Sequence, residues 1–384
     1  VRLTSLSIPD KVKLINSLKN YKIEYRDILN LSSKTTIGIE IEFINANKTS
    51  NKENLAEYNQ MFNKKFESNE YNVEKNGDQY DNAGWKIKKE IDCSGEFASP
   101  ILRNTKEDML NIKKVYEMMN DNNFTVNDSC SLHVNIGGDI FRGKLKNVIS
   151  FLKLYSIFEY ELIGMSKGDF NTMRKGLYHY AAPFSYRLFQ ILKDGNYKFD
   201  NTQPRTNAFF KFLEEIPTEK IIEEKVSNRF NSLSFINVRF ARDKQLKFTN
   251  KQKREYKDDN FKIVKLDNGR FEFRFPNPTL DPIIVQNTIN ILAKFTEAAV
   301  RNPKGVDKLF NKYEPFMDKR IKMMKEANSR RQEEDFEFKL GKEELTKIMD
   351  LADFIFDKEL DKKNMLKQAI DNMDIDSVIM EMEK

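Results

Sequence analysis

The sequence predicts an α+β fold built on an antiparallel sheet, and three observations carry that expectation. Strand-like segments are interleaved with helical stretches of unequal length, without the regular strand–helix rhythm of a parallel sheet. Those strands alternate apolar and polar residues, so the sheet buries one face only, which favours antiparallel pairing. No glycine-rich phosphate loop of the GxxxxGKS/T type opens any helix.

In chain order, residues 1–35 read as short helical pieces, and Thr36 to Ile44 alternates as a strand. Asn45 to Asn82 is a polar insertion rich in Asn, Lys and Glu, an excursion from the core with one short helix near Leu55 to Phe62. Trp85 to Ile91 alternates again. Asn104 with Glu107 three residues on forms a capping box for a helix whose Met109, Ile112, Tyr116 and Met119 recur at helical spacing. Thr125 to Ile136 returns to strand and ends at Gly137-Gly138; Lys144 to Met165 is a long amphipathic helix. Loops and helices mix over 166–227 around Pro183, Pro204 and Pro217. Asn231 to Phe240 and Arg270 to Phe275 are strands, the second closed by Pro276 and Pro278, and Ile283 to Val300 is a helix after Asp281-Pro282. From Pro303 the chain is Lys/Glu/Met-rich and helical. The expected division is a lead-in over 1–35, a catalytic domain over 36–302 with the insertion at 45–82, and a separate helical appendage over 303–384.

Bulk composition narrows the class. With 384 residues, 39% of them hydrophobic and 30 of them Phe, the chain can bury a large aromatic core. Its +6 net charge comes from 65 basic and 59 acidic residues, a balance that does not point to a dedicated nucleic-acid binder. Two cysteines, Cys93 and Cys130, are too few for a disulfide framework or a zinc site and read as small buried residues in a reducing cytoplasm. Val1 to Asp10 lacks the pattern of a signal peptide, and Val148 to Met165 is too short and too charged to span a bilayer. A soluble protein is expected.

Four strand segments share one construction. In Ile37-Gly38-Ile39-Glu40-Ile41-Glu42-Phe43 the apolar residues share one face, while Glu40 and Glu42 project from the other, roughly 6 to 7 Å apart. Carboxylates so spaced can each hold one of two metal ions about 4 Å apart. Phe271-Glu272-Phe273-Arg274-Phe275 repeats the design with Glu272 and Arg274 outward, and Leu132-His133-Val134-Asn135-Ile136 does so with His133 and Asn135. In Asp92-Cys93-Ser94-Gly95-Glu96 a glycine-bearing kink can swing both acids inward. Singly, each segment also reads as an ordinary half-exposed strand or turn, and Tyr178-His179-Tyr180 as an aromatic loop contact. Together, the polar faces collect up to five carboxylates, one imidazole and arginine. Such a set needs cations to neutralise it, and its oxygen-rich donors suit Mg²⁺ or Mn²⁺. Arginine beside it suits phosphate.

These segments resemble a known family. G-I-E-I-E-F at 38–43, D-C-S-G-E-F-A-S-P-I-L at 92–102, S-L-H-V-N-I-G at 131–137 and F-E-F-R-F-P-N-P at 271–278 look like the successive motifs of the amidoligases, carboxylate–amine ligases of the glutamine synthetase and glutamate–cysteine ligase superfamily. The resemblance runs in order over roughly residues 36 to 300. It implies a curved, half-barrel sheet of the glutamine-synthetase type, with ATP entering one end and the carboxylate and amine substrates the other. By motif, Glu40, His133 and Glu272 would hold the metal nearest the ATP phosphates. Glu42 and Glu96, with Asp92 as a further candidate, would hold a second. Arg274 would grip the transferring phosphoryl group, and Arg229 and Asn231 would face nucleotide or substrate. Asn135 departs from the family's frequent second histidine.

The implied function is ATP- and magnesium-dependent ligation through an acyl phosphate, forming an amide or isopeptide bond. Peptide or protein substrates fit a cleft framed by the insertion and the tail. Two other functions stay open: a phosphotransferase on the same fold, and a non-catalytic binding protein using the Lys-rich C-terminal helices.

Overall fold

A computed structural model of the chain describes residues 2–45, 52–67, 92–142, 144–170, 269–329 and 338–384. It also describes the shorter stretches 72–73, 79–82, 84–90, 173, 177, 181–184, 233–236, 238–240, 246–248, 253–258 and 261–266. The first half contains α1 (Ile8–Lys19), β1 (Ile37–Asn45), α2 (Lys52–Phe66), β2 (Asn72–Val73), β3 (Gln79–Asn82), β4 (Trp85–Lys88), β5 (Gly95–Ala98), α3 (Lys106–Asp121), β6 (Phe124–Thr125), β7 (Leu132–Gly137) and α4 (Leu145–Met165). Strands β8 (Leu233–Ile236), β9 (Val238–Phe240), β10 (Leu246–Phe248), β11 (Lys253–Asp258), β12 (Phe261–Leu266) and β13 (Arg270–Phe273) follow. The chain then runs through α5 (Pro282–Arg301), α6 (Pro303–Ser329), α7 (Lys342–Ile355), α8 (Glu359–Ile370) and α9 (Ile375–Glu383).

Among the described residues the main sheet has nine strands in the order β2-β3-β4-β5-β1-β7-β13-β8, with β6 paired to the end of β1. Its strands pair antiparallel throughout these residues, and the sheet is open. The class is therefore α+β, as the alternation of the strands implies.

Alternation decides which face is covered. Along β1 the residues Ile37, Ile39, Ile41 and Phe43 are buried, whereas Gly38, Glu40 and Glu42 are half-buried. Phe43 stacks on Phe97 at 4.3 Å and meets Tyr58 of α2 edge-on at 5.2 Å. At the other side of the sheet Phe271 lies 4.3 Å from Phe141, and Phe273 sits near Phe151 and Tyr155 of α4. Burying each such ring contributes about 2 kcal/mol, so these aromatics hold the strands that carry the polar face. Gly95 is required at the start of β5: a Cβ there would come within 2.8 Å of the Phe43 ring.

Several boundaries differ from the sequence reading. The stretch expected as a polar excursion carries a longer helix, α2, whose Leu55, Tyr58 and Phe62 are fully buried, and β2 and β3 extend the sheet. Three apolar side chains on one helix face are enough to dock it, although the surrounding composition is polar. Helix α3 is capped by Thr105, which accepts from the Asp108 N–H. Asn104 instead brackets Leu29, accepting its N–H at 2.7 Å and donating to its carbonyl at 2.5 Å. The single strand expected over Thr125 to Ile136 is broken, because Asn127 accepts from the Ser129 N–H and turns the chain between β6 and β7. Asp281 caps α5 with Pro282 in its first turn.

The C-terminal helices do not stand apart from the sheet domain. Helix α6 packs along α4, α7 touches α4 and α5, and α8 touches α5 and α1. Thr4 donates to Asp353 at 3.0 Å and Arg26 pairs with the buried Asp361 at 2.6 Å, tying the start of the chain to its end. Their apolar residues join one continuous core with those of the sheet. Among the described residues no helix is long and apolar enough to cross a membrane.

Candidate active site

The polar face of the sheet is built from rows of paired residues. Lys88 on β4 faces Glu96 on β5, which faces Glu42 on β1. One row over, Ala98, Glu40 and His133 lie in register across β5, β1 and β7. In the next row Gly38, Asn135 and Glu272 lie across β1, β7 and β13. Residues two apart on a strand share a face, so the acids, the imidazole and the amide converge. Gly38, two residues before Glu40, and Ala98, opposite it, are its small neighbours.

Glu40 is the centre of the group. His133 Nδ1 lies 3.4 Å from Glu40 Oε2, Asn135 donates to its other oxygen at 3.4 Å, and Arg270 approaches that oxygen at 3.6 Å. The same Nδ1 is 3.4 Å from Glu272 Oε1, so the ring stands between two carboxylates on different strands. Its Nε2 is 2.8 Å from the Ser131 hydroxyl, which fixes the ring plane. Glu272 pairs with Arg274 at 2.9 Å, Arg270 Nε donates to Asn135 at 2.8 Å, and Lys88 Nζ lies 2.5 Å from Glu96 Oε1. Glu96, His133 and Glu272 are buried, and Glu40 retains 15% of its side-chain exposure.

The electrostatics separate the acids. Burial pushes Glu40 up, but the hydrogen bond and charge of His133, with Lys88 and Arg270, more than offset it and hold its pKa down at about 2. Glu96 goes the other way: burial and the neighbouring Glu40 charge raise it to about 7 in spite of Lys88. For His133, burial and Arg274 disfavour the charged ring, yet Glu40, Glu272 and Glu42 outweigh them and its pKa is raised. A proton and a metal cation therefore compete for this ring.

Ligand atoms of Glu40, Glu96 and His133 all lie within 4.8 Å of one another. Two carboxylates and an imidazole form a hard, mainly oxygen donor set that fits Mg²⁺ or Mn²⁺.

The structure therefore brings together Glu40, Glu96, His133, Glu272 and Arg274. Glu42 shares the face opposite Glu96, with Cys93 Sγ 3.7 Å from its carboxylate. Asp92 is exposed in the bend before β5, where its carbonyl accepts from Ser129 at 3.1 Å, and it stands outside the group. Arg229 and Asn231 lie outside the described residues, as do Tyr178, His179 and Tyr180. Cys93 and Cys130 are buried and free, as read. Two further members, Lys88 and Arg270, are missing from the sequence reading. Their signal was the alternation itself: Lys88 follows Trp85 and Ile87 on the polar positions of β4, and Arg270 precedes Glu272 by two.

A family described as "Putative amidoligase enzyme" matches residues 33–296, well over half of the chain and the whole span from Glu40 to Arg274. No curated protein matches the chain. The chain belongs to that amidoligase family.

Proposed function

We propose, from its membership of the amidoligase family, that this chain is an ATP-dependent ligase joining a carboxylate to an amine. The observation that supports it most is the gathering of Glu40, Glu96 and His133 on one sheet face, with ligand atoms mutually within 4.8 Å. Glu40, Glu96 and His133, with Glu272 beside the ring, would hold Mg²⁺ or Mn²⁺, which when bound would screen the phosphate charge of ATP.

The chain's own groups do the rest. Arg274, oriented by Glu272 at 2.9 Å, presents a planar fork that matches the oxygens of the transferring phosphoryl group. Ser131 holds the His133 ring in one orientation. Arg229 and Asn231 are assigned to nucleotide or substrate contact. The substrate carboxylate attacks the γ-phosphorus, ADP leaves, and an acyl phosphate forms. The amine then attacks the acyl carbon, phosphate departs, and the nitrogen gives up a proton to leave an amide or isopeptide bond. Positioning and charge neutralisation supply the rate. In this proposal the sheet curves into a half-barrel of the glutamine-synthetase type, the acceptor is a peptide or protein side chain, and the cytoplasm is the compartment, consistent with two unbridged cysteines.

The test uses α-labelled ATP with candidate acids and amines, the products being separated by thin-layer chromatography. ADP with phosphate, formed only when both acid and amine are present, is expected. AMP as the main product overturns the proposal, and a stable phosphorylated acid as end product replaces it with a phosphotransferase.

A further inference from the structure

We propose that the Lys88 ammonium takes the place of a second divalent cation, so that the polar face of the sheet binds one metal ion and not two. The inference rests on the metal site proposed above and deepens it. Pairing of β4 with β5 sets Lys88 directly opposite Glu96 and delivers Nζ to 2.5 Å from Glu96 Oε1. Glu96 keeps 5% of its side-chain exposure and Lys88 31%, so water screens this pair far less than a surface one. With Oε1 of Glu96 taken by the ammonium, one oxygen of that carboxylate is left for a single metal beside Glu40 and His133, and a second ion between Glu42 and Glu96 would compete for the oxygen the ammonium holds and be repelled by it.

The ligand inventory agrees. Among the described residues the one group of three acidic or imidazole ligands within mutual reach is Glu40, Glu96 and His133, and Glu42 is not in it. Asp92, the remaining acid for a second site, is exposed in its bend. The carboxylates of Glu40, Glu42, Glu96 and Glu272 share this face with the fixed cations Lys88, Arg270 and Arg274. One divalent ion therefore already overcompensates the acids while the imidazole is neutral, and a second would add two uncompensated charges. Lys88 is a positioning residue here: it holds Glu96 and fills the space of an ion.

The experiment titrates Mn²⁺ alone into the full chain without nucleotide and counts bound ions from the loss of the free-Mn²⁺ electron paramagnetic resonance signal. One ion per chain is expected for the wild type and for Lys88→Arg, and two for Lys88→Met, which keeps the stem and removes the charge. A mere surface ion pair would leave that count unchanged, so one ion in a folded Lys88→Met protein overturns the proposal. Two ions in the wild type overturn it whatever the variants do, and leave the metal-dependent ligase standing. No bound ion in wild type or Lys88→Met overturns both together.

Discussion

Two clusters of buried charge among the described residues are closed in different ways. In the helical half, Glu161 of α4 is fully buried and gripped by Arg320 of α6 at 2.6 and 3.3 Å and by Lys347 of α7 at 2.9 Å. Arg320 also reaches Glu344 at 3.2 Å and lies over the Tyr160 ring, and Lys347 donates to the Ile157 carbonyl at 2.7 Å. Two acids thus meet two bases at short range, and burial's penalty on Glu161 is overcome by Lys347 and Arg320, which leave its pKa lowered. On the sheet, by contrast, the central acid Glu40 is met at 3.4 to 3.6 Å, longer than a well-formed charged hydrogen bond. One cluster is complete within the protein and joins helices; the other leaves its central carboxylate open to a further cation.

The largest effect expected from breaking this contrast is on stability. Glu161→Leu leaves Lys347 and Arg320 without their buried acid and should destabilise the fold by about 3–5 kcal/mol. Denaturant unfolding measures it, and a loss under about 1 kcal/mol would mean that the cluster is not closed as described.

Next comes the sheet, where the expected effect is on rate. Arg274→Lys keeps a charge near Glu272 but loses the planar fork, so ligation should fall by about 10²- to 10³-fold. Glu272→Gln should abolish ligation and weaken Mn²⁺ binding. Both variants keep Phe271 and Phe273 in the core; Arg274→Lys should move unfolding by less than about 1 kcal/mol, and Glu272→Gln, which removes a buried charge beside Arg274, by about 1–3 kcal/mol. Full activity in both would reduce Glu272 and Arg274 to a structural ion pair with no part in the reaction.

Acid sharpens the comparison with the smallest effect. The folded pKa of Glu161 is depressed, so its contribution is present above the unfolded-state value and is lost as pH falls through the lowered one. Unfolding followed downward from neutral pH should show an acid limb that Glu161→Gln flattens. An unchanged limb in the variant would assign acid sensitivity to other carboxylates.

Legibility in the sequence followed the range of the interaction. The period of two in Ile37 to Phe43 and in Phe271 to Phe275 put Glu40 with Glu42, and Glu272 with Arg274, on the polar face of their own segments before any strand was paired, because side-chain alternation is a local property of the extended backbone. The same rule would have placed Lys88 and Arg270 on that face. Helix α2 was legible only in part, since Leu55, Tyr58 and Phe62 are a thin stripe in polar surroundings.

By itself, then, the sequence determined the α+β class, the division of each strand into a core face and a polar face, and membership of the amidoligase family. Tertiary structure alone decided that β1 lies between β5 and β7, which sets Glu40 against His133 and Glu42 against Glu96. It also decided that Lys88 caps Glu96, that Asp92 stays outside, and that the C-terminal helices close on Glu161. Strand order, register and helix docking are choices between segments far apart in the chain. They are settled by which buried surfaces fit together, and local periodicity carries no information about that.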